Sequence, residues 1–286
     1  MSPELRAALQ RRLGARVRVA DRLGGGDINE AFEVAFEDGS RIFVKTHPNP
    51  PPDMFGAEAR GLAWLDEAEA IRVPKVLAVS DERPAYLALE LLAPAGRRSD
   101  FEEELGRSLA ALHAFGAPTF GLDHDNYIGR LPQSNAVAAD WPSFYWQSRL
   151  EPQLRLARDR GLVDGSCHAR FQGLSAILAE RVGPAEPPSR LHGDLWGGNL
   201  HVDELGRPCL IDPAVYGGHR EVDLAMMRLF GGFGERVFAA YEEASPLAPG
   251  AEDRVPLYQL YPLLVHVNLF GRSYVGAVER ALAACV

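Results

Sequence analysis

Residues 16–45 present their signals in the order strand, glycine turn, strand, turn, strand. "RVRVADRL" (16–23) and "INEAFEVAF" (28–36) alternate in the strand manner, "EDGS" (37–40) is an Asp-Gly hairpin signal, and "RIFVK" (41–45) is a third strand. A dinucleotide or P-loop fingerprint needs its glycines between a strand and a helix. Here "GGGD" (24–27) caps a hairpin instead. The chain therefore starts as a meander.

"PDMFGAEARGLAWLDEA" (52–68) reads as a helix with Phe55, Leu62 and Leu65 on one stripe. Glu58 falls on that same stripe, where a carboxylate is costly unless a cation meets it. "VPKVLAV" (73–79) and "AYLALELL" (85–92) read as two more strands, and "APAGRR" (93–98) as a linker. Beyond it the pattern becomes mainly helical. Ser99 and Glu102 form a capping box ahead of Leu105, Leu109 and Leu112. "NYIGRLPQSNAVAADWP" (126–142) reads as a long irregular loop of the kind that often carries function. Further helices are expected over 143–160, 168–182, 221–230, 233–243 and 254–270. The expected class is α+β with two lobes: a small antiparallel β-rich N-lobe with one helix (1–92), a hinge (93–98) and a larger, mainly helical C-lobe (99–286).

A chain of 286 residues buries roughly three quarters of its unfolded surface. Its net charge of −9 argues against a nucleic-acid or anionic-membrane partner, which needs a basic stripe. A local basic pocket for an anionic ligand remains compatible with that total. Three widely separated cysteines, Cys167, Cys209 and Cys285, give neither a disulfide framework nor metal spacing. The first residues read as an amphipathic helix without a signal-peptide core, and no apolar run reaches membrane-spanning length. A cytoplasmic setting and a monomer are the simplest expectations.

"LHGDLWGGNLHVDELGRPCLIDPA" (191–214) crowds polar residues into a strand-like frame. Phosphoryl transfer from ATP needs a carboxylate near the acceptor hydroxyl and oxygen ligands for Mg²⁺. Asp194, Asn199 and Asp212 supply base, metal ligand and metal ligand in that order. A surface hairpin with Asx turns explains each residue singly, but the joint H-x-D-x-x-x-x-N spacing followed by a strand ending in Asp is more specific. Lys45 ends the third strand as in a V-A-I-K motif. A strand-end lysine is commonly just solvated, yet pairing it with Glu58 accounts for the inward carboxylate and leaves the ammonium to hold phosphates. Gly24, Gly25 and Gly26 would lay bare backbone N–H groups over those phosphates.

The runs "LHGDLWGGN", "LIDPAVYGGHREVDLAMMRLFGGF" and "LYQLYPLLVHVNLFGRSY" closely resemble the fructosamine kinase (ketosamine 3-kinase) family. That family is similar to aminoglycoside and choline phosphotransferases and shares their protein-kinase-like fold. "GGGDINEAF", "FVK", "AEARGLAWL", "NYIG" and "WPSFYWQSRL" extend the likeness over nearly the whole chain. The resemblance implies ATP- and Mg²⁺-dependent phosphorylation of the 3-hydroxyl of a ketosamine, free or as glycated lysine in protein, in a deglycation role. By the same likeness, Asp194 is the base, Asn199 and Asp212 hold Mg²⁺, and Lys45 with Glu58 orients the phosphates. The segment from Glu90 to Leu92 would contact adenine through its backbone. Asp223 would accept backbone N–H bonds from the 192–199 loop, beside His192, although a helix N-terminus also favours a carboxylate there. Trp196 would stack on the sugar. His266 and Tyr216 are further acceptor-site candidates, each equally readable as packing. The competing readings are a kinase of another small alcohol, of aminoglycoside, choline or homoserine type, and a non-catalytic nucleotide-binding regulator.

Overall fold

The computed structural model describes residues 1–24, 29–93 and 95–285. Gly25, Gly26 and Asp27 of the glycine stretch lie outside the described residues. The chain forms two compact units, Met1–Phe101 with Leu200–Pro213, and Glu102–Asn199 with Ala214–Val286.

In the first unit, helix α1 (Pro3–Leu13) is capped by Ser2, whose hydroxyl accepts the Leu5 N–H. Strands β1 (Val17–Leu23), β2 (Glu30–Phe36) and β3 (Arg41–Thr46) form the meander. Helix α2 (Met54–Asp66) precedes β4 (Val76–Ser80) and β5 (Tyr86–Glu90). The sheet runs β1-β2-β3-β5-β4, antiparallel throughout. Leu5 and Leu9 of α1 join Val34, Val44 and Ala88 in one core, all essentially inaccessible. Each large aliphatic buried there contributes roughly 1.5–3 kcal/mol. Helix α2 packs on β4 and β5 through Phe55, Leu62 and Leu65, and the Asp81 carboxylate caps it by accepting the Phe55 and Gly56 N–H groups.

The second unit begins within α3 (Phe101–Phe115), which starts one residue later than a cap at Ser99 would place it. The 126–142 stretch is more ordered than its composition suggests. It holds a hairpin, β6 (Asn126–Ile128) and β7 (Leu131–Gln133), which buries the amides of Asn126 and Gln133 as well as the apolar Ile128 and Leu131. Then α4 (Trp141–Phe144), a π-helical turn (Tyr145–Leu150) and α5 (Glu151–Asp159) follow one another without a break, ahead of α6 (Gly165–Arg181). Strand β8 (Ser189–Leu191) leads into the polar stretch, whose hairpin β9 (Leu200–Val202) and β10 (Pro208–Leu210) belongs to the first unit. Strand β11 (Tyr216–Gly218) pairs back on β8. Helices α7 (Glu221–Phe230), α8 (Glu235–Ala244), α9 (Ala251–Phe270) and α10 (Val275–Cys285) complete the chain, α9 packing against α5, α7 and α10. Among the described residues no helix is long and apolar enough to cross a membrane.

Candidate functional site

In the first unit, β3 delivers Lys45 and the stripe of α2 delivers Glu58. Their Nζ–Oε1 distance is 2.8 Å, and Nζ also contacts Asp212 Oδ1. Lys45 is almost fully buried, whereas the Asp212 side chain is 41 % exposed. Burial alone would lower the Lys45 pKa, but the Asp212 and Glu58 carboxylates outweigh it and raise the value, so the ammonium stays charged. Burial pushes the Glu58 carboxyl up against the pull of Lys45. Asp212 has φ +54°, a left-handed conformation that is costly for a residue with a Cβ and recurrent at functional sites.

Glu90 ends β5, where its N–H donates to the Lys75 carbonyl and its carboxylate pairs with Arg72. Arg72 also reaches Asp203 and Glu204 of the β9–β10 turn, and the Leu210 N–H donates to its carbonyl. Leu92 follows the strand and is partly exposed.

In the second unit, the loop after β8 carries His192, Asp194, Trp196 and Asn199. Asp223, in the first turn of α7, accepts the His192 N–H at 2.8 Å on Oδ2 and the Gly193 N–H at 2.9 Å on Oδ1. His113 Nε2 lies 3.2 Å from Oδ2, and its Nδ1 lies 2.8 Å from the Tyr241 hydroxyl. Burial opposes the charge on Asp223, but His113 and the loop N–H groups hold its carboxyl below the usual carboxylate range. Gly193 has φ +82°, and a Cβ there would lie 2.1 Å from the Ala214 carbonyl oxygen, so only glycine fits. The Asp194 N–H donates to His192 Nδ1 at 3.2 Å. Asn199 Nδ2 donates to the Asp194 carbonyl at 2.8 Å and to its Oδ2 at 3.3 Å. The amide nitrogen is thus turned to Asp194, and oxygen is the atom suited to a metal.

Trp196 lies over Gly198 and is 42 % exposed. His266 sits on α9 with ring centroids 4.6 Å from Phe230, 5.0 Å from Tyr274 and 5.4 Å from Phe270. Its Nδ1 lies 2.7 Å from the Pro262 carbonyl, and burial lowers its pKa. Tyr216 is fully buried, its ring centroid 3.8 Å from the Arg149 guanidinium carbon. In this structure, then, it reaches no surface. Sequence reasoning passed over His113, Arg149 and the amides Asn126, Gln133 and Asn135. The amide spacing in "NYIGRLPQSN" was their visible trace.

The fold is the two-lobed, protein-kinase-like one. The structure superposes on a macrolide 2'-phosphotransferase from Brachybacterium faecium with a TM-score of 0.63 at 17 % identity, covering 97 % of this chain and 96 % of that one. The profile of the fructosamine kinase family matches residues 1–286, and the chain belongs to that family. A probable ketoamine kinase of Enterococcus faecium is 39 % identical over 90 % of this chain and 92 % of its own. The chloroplastic protein-ribulosamine 3-kinase of Arabidopsis thaliana is 40 % identical over 88 % of this chain and 78 % of its own. A Thermobifida fusca protein provisionally named a fructosamine-3-kinase has a crystal structure at TM-score 0.91 and 38 % identity, covering 100 % of this chain and 99 % of that one.

Proposed function

We infer that this protein is an ATP-dependent kinase that phosphorylates the 3-hydroxyl of ketosamines, the rearranged adducts of a sugar and an amine. The observation that carries the reading is the Asp194–Asn199 loop pinned by Asp223, within a chain that also keeps Lys45, Glu58 and Asp212. A protein-ribulosamine 3-kinase at 40 % identity supports the position of transfer.

Asp194 is assigned the hydroxyl proton, and Lys45 the phosphates, with Glu58 holding its ammonium in place. Gly24 and its neighbours, together with the Glu90–Leu92 segment, are assigned to the nucleotide. Among the described residues no cluster of three or more His, Cys, Asp or Glu forms a metal site by itself. That suits Mg²⁺, which takes one or two protein oxygens and completes its shell with water and phosphate. The Asn199 amide oxygen and the Asp212 carboxylate fit as those ligands, and Mg²⁺ there would neutralise charge on the phosphates. Trp196 supplies an exposed aromatic face for the sugar. His266, with Nδ1 turned to the Pro262 carbonyl, presents Nε2 to a hydroxyl.

ADP release with ribulosyl-lysine or fructosyl-lysine as acceptor is the direct assay. Acceptor-dependent turnover should fall by on the order of 10²–10⁴ in Asp194→Asn. No stimulation by any ketosamine, with turnover on an aminoglycoside or choline instead, would replace this reading.

A further inference from the structure

Arg149 is fully buried, and among the described residues no carboxylate lies within ion-pair distance of it. Burying a guanidinium without a counter-ion is expensive, and its hydrogen-bond partners indicate what holds it there. Nη1 donates to the Ser134 carbonyl at 2.6 Å and to that of Ser148 at 3.0 Å. Nη2 donates to Asn135 Oδ1 at 2.7 Å. The ring of Tyr216 covers the guanidinium, with Phe144 and Tyr261 close by. The π-helical turn places the residue, a distortion that often marks functional segments.

A guanidinium donates and never accepts, so the Asn135 amide must turn its oxygen to Arg149. Its nitrogen then faces away and donates to Asn126 Oδ1 at 3.1 Å and to the His124 carbonyl at 3.0 Å. With its oxygen taken, Asn126 turns Nδ2 to the Val215 carbonyl at 2.8 Å. Gln133 follows the same sense. The Tyr261 hydroxyl donates to its Oε1 at 2.6 Å, and its Nε2 donates to Asn126 Oδ1 at 2.8 Å and to the Ala214 carbonyl at 3.0 Å. The chain of amides ends on two peptides that hold the catalytic loop. The Ala214 N–H donates to the His192 carbonyl at 2.9 Å, Tyr216 pairs with Leu191, and Gly193 packs on the Ala214 carbonyl.

We propose that Arg149 is a positioning residue for phosphoryl transfer, which sets the direction of the Asn135–Asn126–Val215 hydrogen-bond chain and thereby fixes the backbone that carries Asp194. The chemical step rests on the kinase reading, whereas the mechanical link to the loop does not. Arg149 touches neither substrate nor reacting atoms; it acts through the amides.

Asn135→Asp separates positioning from support. The carboxylate gives Arg149 a counter-ion of the same shape but withdraws the donor to Asn126 Oδ1 and sets an acceptor against it, so that Asn126 keeps only the Gln133 donor and is pushed from its place on the Val215 carbonyl. If Arg149 and Asn135 only support the fold, this variant leaves kcat unchanged. Under the proposal, kcat for the ketosamine falls about tenfold, the effect of one lost hydrogen bond, while KM for Mg·ATP stays at the wild-type value. Arg149→Lys, still a pure donor, should retain more kcat than Arg149→Met at equal nucleotide affinity. Amide hydrogen exchange at 192–194 and 214–216 should quicken in Asn135→Asp, a readout independent of any acceptor. Unchanged exchange together with unchanged kcat overturns the proposal. A wild-type protein inactive on every ketosamine refutes the assigned activity, and the exchange result still decides this inference.

Discussion

Lys45 Nζ stands 2.8 Å from Glu58 Oε1, and the ion pair joins the third strand of the sheet to the helix that follows it. In Lys45→Met the Glu58 carboxyl is left buried without its ammonium. A broken buried pair costs about 3–5 kcal/mol; with Glu58 slightly and Asp212 substantially exposed, the expected loss is about 1–3 kcal/mol. The pH dependence has a definite sign. The Glu58 carboxyl is raised in the folded state, so its stability contribution is full below the unfolded value and declines as pH rises through the folded one. Removing Lys45 raises it further. Denaturation should therefore show a larger wild-type-to-variant gap near pH 8 than near pH 5, with KM for Mg·ATP increased as well.

Gly193→Ala tests the loop directly. The left-handed backbone alone costs about 1–2 kcal/mol for a residue with a Cβ. The 2.1 Å approach to the Ala214 carbonyl then forces the backbone apart. Ketosamine turnover should be lost, while calorimetry still records Mg·ADP binding through Lys45. Retention of wild-type kcat would show that the 193–214 contact is dispensable.

Trp196→Ala removes an exposed aromatic face without touching the hydrogen bonds of Asp194 or Asn199. Aromatic contacts of this kind contribute about 0.5–1.5 kcal/mol. The expected result is a rise in KM for the ketosamine of roughly 2- to 12-fold, with KM for Mg·ATP unchanged. Initial-rate kinetics with each substrate varied in turn will separate the two.

His219 limits stability on the acid side. Burial pushes its imidazole down from 6.5 to about 4, and Arg220, Arg254 and His113 add to that while Glu186, 3.7 Å away, opposes it. The unfolded chain takes up the proton first as pH falls, so stability is lost between the ordinary histidine value and about 4. Such a shift corresponds to about 3 kcal/mol. Urea midpoints followed downward from neutral pH should drop steeply in wild type and more gently in His219→Gln.

The meander was legible from its strand-like runs and Asp-Gly turn, although β2 is buried on both faces, and α2 from the stripe of Phe55, Leu62 and Leu65, which is buried. The Lys45–Glu58 pair was legible as well, since an inward carboxylate on an apolar stripe demands a cation. Residues 126–135 were not. Only Ile128 and Leu131 mark them as buried, and the rest of their order comes from buried amides bonded to one another and to distant carbonyls, which no hydrophobic period records. Helix α10 escaped for another reason: "VGAVERALAAC" is short and small-sided, and it is fixed by packing on α9. His113 looked like an ordinary helix residue until Asp223 and Tyr241 were seen on either side of its ring.

The return of residues 200–213 to the first unit orders events during synthesis. Arg72 finds Asp203 and Glu204, and the Arg98 N–H finds the Gly206 carbonyl, only after more than two hundred residues have been made. Until then Lys45 lacks Asp212, the second of its two carboxylate partners. A nascent chain stalled before residue 200 should therefore be cleaved readily by protease within its first hundred residues, and one stalled beyond residue 213, with the exit tunnel cleared, should resist.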